Sequence, residues 1–403
     1  MEARAIPASA APLSRAHERA TAAVLPWPLV ATVFAATSIV VGLIWDISWH
    51  MSIGRDTFWT PAHFGIYVGG ILGGLANGAL VLKTTFAGTD EERARSVRFW
   101  GFRGPVGSWA AIWGAGAMLT SAPFDDWWHA AYGLDVQVLS VPHTVLILGV
   151  LGIVIGAAIT ALTAQNRAEL GDGGVAMAQR AALFRGIYAY AAGVMVTIVS
   201  IGVWEDMGWT VSHSAHFYRA AAYPFPFILA AIMRSLRLKW PATTAALIYM
   251  AIVAGMTWIL PLFPATPKLG PIFQDVTHMV PMGFPVLLVV PAFLFDLVNR
   301  RFGDRNKWLL AASLAVAFVA SMLVVHWPFG SFMISKGSHN WFFAGDNFSY
   351  GAPKTSNRYL GRFARIDRTT FDFWKGMVIA TSIAFVTARL GLGFGDWMRR
   401  VRR

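Results

Sequence analysis

The sequence predicts an all-α fold, a polytopic membrane bundle of about ten transmembrane helices arranged as repeated helical hairpins. Three observations support this. Of the 403 residues, 56% are hydrophobic and 13% are charged, whereas a soluble domain carries about 25% charged residues. The apolar residues fall in runs close to the ~20 residues that cross a hydrocarbon core. The charged residues are gathered in the segments between those runs.

The apolar runs, taken in chain order, define the predicted spans. They cover 28–47, 63–83, 104–121, 142–164, 183–203, 220–235, 241–262, 279–298, 307–327 and 371–392. The run at 220–235 has the weakest pattern, because it is short and is interrupted by Pro224 and Pro226. Residues 1–27, which include His17, are predicted to form a solvated tail before the first span.

The segments between the runs alternate in charge, which predicts the orientation of the chain. Basic segments such as "RSLRLK" and "NRRFGDRNK" alternate with segments that carry Asp, His, Trp and Pro. Because basic loops stay in the cytoplasm, we expect cytoplasmic N- and C-termini, and Asp/His loops on the periplasmic side of a bacterial inner membrane. This distribution accounts for the net charge of +12 without nucleic acid binding. The absence of cysteine excludes disulfides, thiolate metal sites and iron–sulfur clusters.

Four of the outer loops share a composition that indicates an internal repeat. They read "WDISWHMSIGRDTFWTPAH", "FDDWWHAAYGLDVQVLSVPH", "WEDMGWTVSHSAHFY" and "FQDVTHMVPMGFP". The first two each contain Asp-x-x-x-His with Trp before the His, and each ends on a His that opens the next apolar run. The last two are looser, and we interpret them as diverged copies.

The first two loops contain residues that can bind a metal ion. Asp46 and His50 are four residues apart, so a helix presents both on one face, and a turn would return His63 beside them. The second loop repeats the pattern with Asp125, His129 and His143. Two imidazoles and a carboxylate suit Cu(II), Zn or Fe without choosing among them. The alternative is hydrogen-bonded interfacial histidines and capping aspartates, but the recurrence of the pattern favours metal binding.

The first loop resembles the signature of the C-type subunit of the copper membrane monooxygenases, the particulate methane and ammonia monooxygenases. The matching positions are Asp46, His50, Arg55, Asp56, Thr57, Thr60, Pro61 and His63. The resemblance implies that Asp46, His50 and His63 bind copper inside the membrane domain. It also implies a second copper site nearby, in which His129 and His143 match histidines of the family and Asp125 stands where the family has asparagine.

This resemblance covers about residues 30–165 and divides the chain into regions. The tail 1–27 is followed by a region that resembles the C-type monooxygenase subunit, 28–165, which holds both Asp/His loops. Further helices occupy 166–403, with a long outer loop at 328–370.

Other ionisable residues of the outer loops form secondary candidates. The third and fourth loops contribute Glu205, Asp206, His213, His216, Asp275 and His278. If the halves of the protein are pseudo-symmetric, these residues would build another metal site, and the alternatives are helix capping and proton handling. We place His326 and His339 in the longest outer loop, which we interpret as a structured surface loop with an aromatic belt.

Two functions from different classes fit these observations. The first is a copper-binding oxidoreductase component that uses O2 on a small apolar substrate, with Arg55 and Asp56 orienting the ligands without binding the metal. Its electrons would come from a quinol or a partner, and its partners would be A- and B-type membrane subunits or a second copy. The second is a non-catalytic protein for membrane copper binding, handling or assembly. Transport ranks lower, because the centres of the spans are mostly apolar.

Overall fold

A computed structural model of the protein describes residues 26–133, 140–171, 177–303 and 306–403, and its regular structure is almost entirely α-helical. Within these residues, seven helices are long and apolar enough to cross a membrane. They are Trp27–Ser52, Pro61–Phe86, Val141–Glu169, Ala181–Gly202, Pro241–Leu262, Lys307–Met333 and Thr370–Met398. The chain is therefore a multi-pass helical membrane protein, as its composition predicts. Residues 1–25, with His17, lie outside the described residues.

The described residues form twelve α-helices and one short strand pair. In chain order the helices are α1 (Trp27–Ser52), α2 (Pro61–Phe86), α3 (Asp90–Ala94), α4 (Val106–Tyr132), α5 (Val141–Glu169), α6 (Ala181–Gly202), α7 (Ala215–Ala222), α8 (Phe225–Ser235), α9 (Pro241–Ile259), α10 (Val289–Phe302), α11 (Lys307–Met333) and α12 (Thr370–Met398). A short antiparallel hairpin, β1 (Val97–Phe99) and β2 (Phe102–Gly104), precedes α4. Single 3₁₀ turns cover Glu205–Met207, Trp209–Val211, Leu260–Leu262 and Lys336–Ser338.

Residues 27–169 form two antiparallel helical hairpins, α1–α2 and α4–α5, and α2 packs against α4. The second hairpin is held close by glycine. A Cβ atom on Gly114 would lie 2.5 Å from the carbonyl oxygen of Gly149, and one on Gly156 would lie 2.6 Å from that of Gly107. Small residues allow membrane helices to approach in this way. The close packing fixes the helix ends from which the two Asp/His loops emerge.

The helices of residues 181–398 pack around large buried side chains that include Tyr188, Phe295 and Phe318. α12 lies against α8 and α11, and α9 lies against α6 and α10. α6 also packs against α5, so both parts of the chain belong to one bundle.

The predicted span 279–298 is not a continuous helix. Helix α10 begins only at Val289, and residues 279–288 have no helical structure. Pro281, Gly283 and Pro285 explain the difference, because proline removes backbone donors and glycine weakens a helix. An apolar run alone therefore predicted the wrong local structure here.

The extended segment 279–288 satisfies its backbone groups with side chains of neighbouring helices. The amide of Val286 donates to the hydroxyl of Tyr249 at 3.1 Å. The hydroxyl of Thr257 donates to the carbonyl of Gly283 at 2.9 Å. Non-helical backbone inside a membrane protein requires such partners, because lipid offers none. The segment is therefore a built-in part of the bundle.

The prediction that placed His326 in an outer loop is wrong. Helix α11 continues to Met333, and His326 is fully buried within it. Its Nε2 accepts the amide of Leu287 at 3.0 Å, while its Nδ1 lies 3.1 Å from the carbonyl of Met322. Both ring nitrogens have backbone partners, so His326 supports the extended segment.

Two other predicted spans have different bounds. The run 220–235 consists of two helices, α7 and α8, which are separated at Tyr223 and Pro224. The run 104–121 extends as α4 to Tyr132, so the ligands predicted in the second loop begin on the helix itself.

Candidate metal centres

Several loops meet at one end of the bundle, which we call the histidine end. It is formed by residues 53–60, 203–214, 263–278 and 334–369. The amide of Tyr350 donates to the carbonyl of Met51 at 3.0 Å, and that of Ala364 donates to the carbonyl of Thr210 at 2.8 Å. Because the helices alternate in direction, α1 and α4 end here, and α2 and α5 begin here. The Asp/His motifs of the first two loops therefore share this end.

The first loop is a tight turn between α1 and α2. Gly54 has a positive φ of 86°, a conformation that glycine adopts without strain. The indole of Trp49 donates to the carbonyl of Arg55 at 3.1 Å, and the amide of Thr57 donates to the hydroxyl of Thr60 at 2.8 Å. Arg55 contributes this carbonyl, and its side chain is exposed. The turn brings the start of α2 back to the last turns of α1.

The first cluster gathers the predicted ligands Asp46, His50 and His63. His63 Nε2 lies 3.2 Å from Asp46 Oδ1, and His50 Nε2 lies 3.8 Å from Asp46 Oδ2. The helix spacing explains the pair on α1, and the turn explains His63, which stands in the first turn of α2. The carboxylate of Asp46 thus lies between two imidazoles.

Asp56 belongs to the same cluster. Its Oδ2 lies 3.6 Å from the Nε2 of both His50 and His63. The sequence predicted that Asp56 orients the ligands without binding the metal, but its distances to the two imidazoles fall between the 3.2 and 3.8 Å of Asp46. Asp56 is therefore itself a candidate ligand, and the first cluster offers two imidazoles and two carboxylates.

The second cluster consists of Asp125, His129 and His143. The two carboxylate oxygens of Asp125 each lie 3.4 Å from one imidazole Nε2. One ligand atom from each residue lies within 4.8 Å of the others, and within the described parts of the chain this is the one group of three or more such residues. Ligands held ~2.0–2.2 Å from one metal lie up to ~4.4 Å apart, so the trio is close to a binding geometry.

In the second cluster, the imidazole of His129 has a backbone neighbour on the side away from Asp125. The Nδ1 of His129 lies 3.4 Å from the carbonyl of Gly133. If this nitrogen carries the proton, Nε2 keeps its lone pair for a metal, as is usual for metal-binding histidines. The neighbouring Asp126 is exposed. Asp135, a further carboxylate of the second loop, lies outside the described residues.

A carboxylate oxygen is left without a hydrogen bond in both clusters. Asp46 Oδ1 and Asp125 Oδ1 are buried, and neither has a hydrogen-bond partner. A buried polar atom in this state costs free energy unless something compensates it. The nearest group to each is an imidazole nitrogen, so a cation between carboxylate and imidazole would satisfy both. The residue types therefore suit a bound metal ion in both clusters, and in the second cluster one ligand atom from each of three residues also lies within 4.8 Å of the others.

The two clusters are neighbours, because α2, which carries His63, packs against α4, which carries Asp125 and His129. Tyr67, one turn after His63, lies within electrostatic range of the carboxylates of Asp46, Asp56 and Asp125. Its hydroxyl donates to the carbonyl of Phe58 at 3.0 Å. Tyr67 is not among the residues predicted from the sequence, although its spacing of four from His63 places it on the same helix face.

The secondary candidates do not assemble into a third cluster in the described residues. His216 pairs with Asp206 at 3.0 Å, but this is a pair on its own. His213 is stacked between Trp327 and Phe363, with ring centroids 3.9 and 3.6 Å away, and its Nε2 lies 2.8 Å from the carbonyl of Trp327. The other members of this set are Glu205, in a 3₁₀ turn, Asp275, in an irregular segment, and His278, whose Nδ1 lies 2.8 Å from the hydroxyl of Thr277.

His339 is also at the histidine end, after the last 3₁₀ turn. It is exposed and lies edge-on to Phe348, with ring centroids 6.5 Å apart.

Comparison with known proteins assigns no family to this chain: no protein-family model, curated protein or solved structure matches it. The function must therefore be inferred from the ligands, their geometry and their position in the bundle.

Proposed function

We propose that the protein is a membrane-embedded copper-binding oxidoreductase component, similar to the C-type subunit of the copper membrane monooxygenases, which acts with O2 on a small apolar substrate. The observation that carries the proposal is the pair of neighbouring Asp/His clusters at one end of a membrane bundle. Ionisable groups in such a setting are costly and mark functional sites. The ligand chemistry, imidazole and carboxylate without thiolate, suits copper, while zinc and iron use the same donors.

The roles of the chain's own residues follow from the contacts. His50 and His63 would donate nitrogen lone pairs, and Asp46 and Asp56 would offset the positive charge of the ion. Bound copper would supply one-electron redox chemistry and a place for O2. The side chains of Trp59 and Trp127, which are 69% and 54% exposed beside the two clusters, offer an apolar surface to a substrate that arrives through the lipid. Electrons would come from a quinol or from A- and B-type partner subunits.

We also propose ten crossings, with both termini cytoplasmic and the histidine end periplasmic in a bacterial inner membrane. The seven long apolar helices would be joined by three further crossings. These are α4, the α7–α8 pair, and the segment 279–302 of extended chain and α10. The basic segments then lie on one side, as the positive-inside rule requires.

Because the chain has no cysteine, single cysteines can test this orientation. Lys354 and Thr89 are exposed and lie at opposite ends of the bundle. We expect Lys354→Cys to react with an impermeant maleimide added to intact spheroplasts, and Thr89→Cys to react only after lysis. The reverse pattern would refute a periplasmic histidine end.

A non-catalytic role in copper handling is the second candidate. The side chain of His50 is 49% exposed, so a bound ion could exchange with a partner protein. Oxygenase and handling functions share the ligands and differ in turnover.

Purified protein in lipid nanodiscs, loaded with copper and supplied with a reduced quinol, distinguishes the two. The oxygenase proposal predicts O2 uptake that depends on a small apolar substrate and is lost in the His50→Ala, His63→Ala double variant. His339→Ala is the matched control, because it removes a histidine of the same end that is outside both clusters. Copper binding without O2 uptake, in the presence of partner membranes, would favour handling. Failure to bind copper would overturn both.

A further inference from the structure

Opposite the histidine end, a cavity of about 410 Å³ is lined by arginine. Its walls carry Arg234, Arg237, Arg399, Arg400 and Arg402, together with Asp396. We call it the arginine cavity. Five guanidinium groups and one carboxylate thus converge on one concave site.

Three helices that end at the same level build the arginine cavity. The side chain of Asn166 on α5 donates to the carbonyls of Met398 and Val401, both at 2.8 Å, which holds the turn after α12 in place. Gln165 donates to the carbonyl of Ser235 at the end of α8, at 3.0 Å. The arginines near the ends of α8 and α12 are therefore brought together by buried amide contacts.

The carboxylate in the cavity does not balance these charges. Asp396 accepts the Nε of Arg234 at 2.8 Å and also pairs with Lys307. Partial burial, and then repulsion by Arg234 and Arg237, lower the pKa of Arg399. The Nε atom of Arg237 is buried and has no hydrogen-bond partner. The cavity therefore concentrates positive charge and leaves at least one buried donor unsatisfied.

Arginines at helix C-terminal ends are common, because they complement the helix dipole and mark the cytoplasmic side. That role needs no concave site, and it is served equally by cations outside the cavity, such as Lys239 and Arg301, which are exposed at the same end. Convergence of like charges in a cavity costs free energy, and an anionic ligand would compensate it.

We propose that the arginine cavity binds the phosphate headgroup of an anionic membrane lipid. Planar guanidinium groups bind phosphate oxygens in a bidentate manner, and basic pockets between membrane helices suit such headgroups. A lipid is favoured over a soluble phosphate compound by the apolar surroundings. Leu170 lines the cavity, and Phe394 and Trp397 are 43% and 53% exposed on the last turns of α12. Tryptophan is typical of the membrane interface, where headgroups lie.

The test is native mass spectrometry of the full-length protein with phosphatidylglycerol and phosphatidylcholine of identical acyl chains. The test variant is Arg237→Gln, Arg399→Gln, and the control is Lys239→Gln, Arg301→Gln, which removes the same charge outside the cavity. We expect the wild type and the control to prefer phosphatidylglycerol. The test variant should bind it at least ~10-fold more weakly, because two guanidinium groups that would donate charge-assisted hydrogen bonds to the phosphate are removed.

Three results would overturn the proposal. The first is equal binding of the two lipids by the wild type, and the second is equal weakening in the test and control variants. The third is displacement of phosphatidylglycerol by inorganic phosphate at equal concentration, which would reassign the cavity to a soluble phosphate compound. If the double variant does not fold, Arg399→Lys is the substitute, because it keeps the positive charge and removes the planar guanidinium group. It should weaken phosphatidylglycerol binding by a smaller factor than the double variant. No change in Arg399→Lys would then count against the proposal.

Discussion

The two Asp/His clusters use the same residue types at nearly the same spacing, yet they differ in what the connecting loop adds. In the second cluster, all three candidate ligands lie on helices, Asp125 and His129 on α4 and His143 on α5. In the first cluster, the turn supplies an additional carboxylate, Asp56, which contacts both imidazoles.

This difference shows which part of a cluster sets its geometry and which part sets its charge. The helix-borne trio sets the common geometry, because an Asp-x-x-x-His pair shares one helix face and the hairpin returns a histidine to it. The loop that joins the two helices then determines the net charge of the cluster. A first site with two carboxylates should favour a more highly charged or harder ion than a second site with one.

The largest expected effect is on the metal content, and it distinguishes the first cluster from the second. The His50→Ala, His63→Ala variant should lose about one metal equivalent per chain and keep the second, because two ligands of a single centre are removed. Metal analysis by inductively coupled plasma mass spectrometry of the folded protein measures this. Loss of both equivalents would mean one shared centre, and an unchanged content would make these histidines structural.

The second cluster can be weakened alone. Asp125→Asn should reduce metal affinity there by at least ~10-fold and leave the first cluster intact, because the amide carries no charge and is a poorer ligand for a divalent cation. A competition titration with a chelator of known affinity measures each site. His339→Ala serves as the reference for a neutral change at the same end. An undiminished affinity would point to Asp126 or Asp135 as the ligand.

The smallest effect concerns the loop-borne carboxylate. If Asp56 binds the metal, Asp56→Asn should weaken the first site as much as Asp46→Asn does. If it only orients the histidines, the loss should be smaller than that caused by Asp46→Asn, because a residue that contacts a ligand and not the ion acts on the affinity indirectly. Parallel titrations of the two variants decide between these roles. A variant with wild-type affinity would remove Asp56 from the centre altogether.

How far the sequence could predict this molecule depends on the kind of pattern involved. Long apolar runs such as those of α5 and α11 predicted helices, because length and composition decide them. The prediction of a helix over 279–298 was wrong, because apolarity does not distinguish a helix from an extended segment. The side chains that satisfy the backbone of residues 279–288 come from helices distant in sequence. Tyr249 and His326 take this role through contacts that no spacing in the sequence reveals.

The same limit applies to the candidate site. The pairing of Asp46 with His50 follows from helix periodicity, and so does that of Asp125 with His129. The position of Asp56 depends on an irregular turn, whose direction is set by Gly54 and by the hydrogen bond from Trp49. The third and fourth loops contain similar residues, but their histidines are engaged by aromatic rings and single partners. Composition therefore pointed to this end of the molecule without distinguishing the clustered histidines from the isolated ones.

Copper titration of the protein, followed by X-ray absorption spectroscopy, tests directly whether both Asp/His clusters bind copper. Two neighbouring Asp/His centres predict two bound equivalents per chain, with nitrogen and oxygen neighbours, imidazole scattering and no sulfur ligand. The matched reference is the variant in which His50, His63, His129 and His143 are all replaced by alanine, and it should bind neither equivalent. If the wild type binds no more copper than this variant, neither cluster is a copper site.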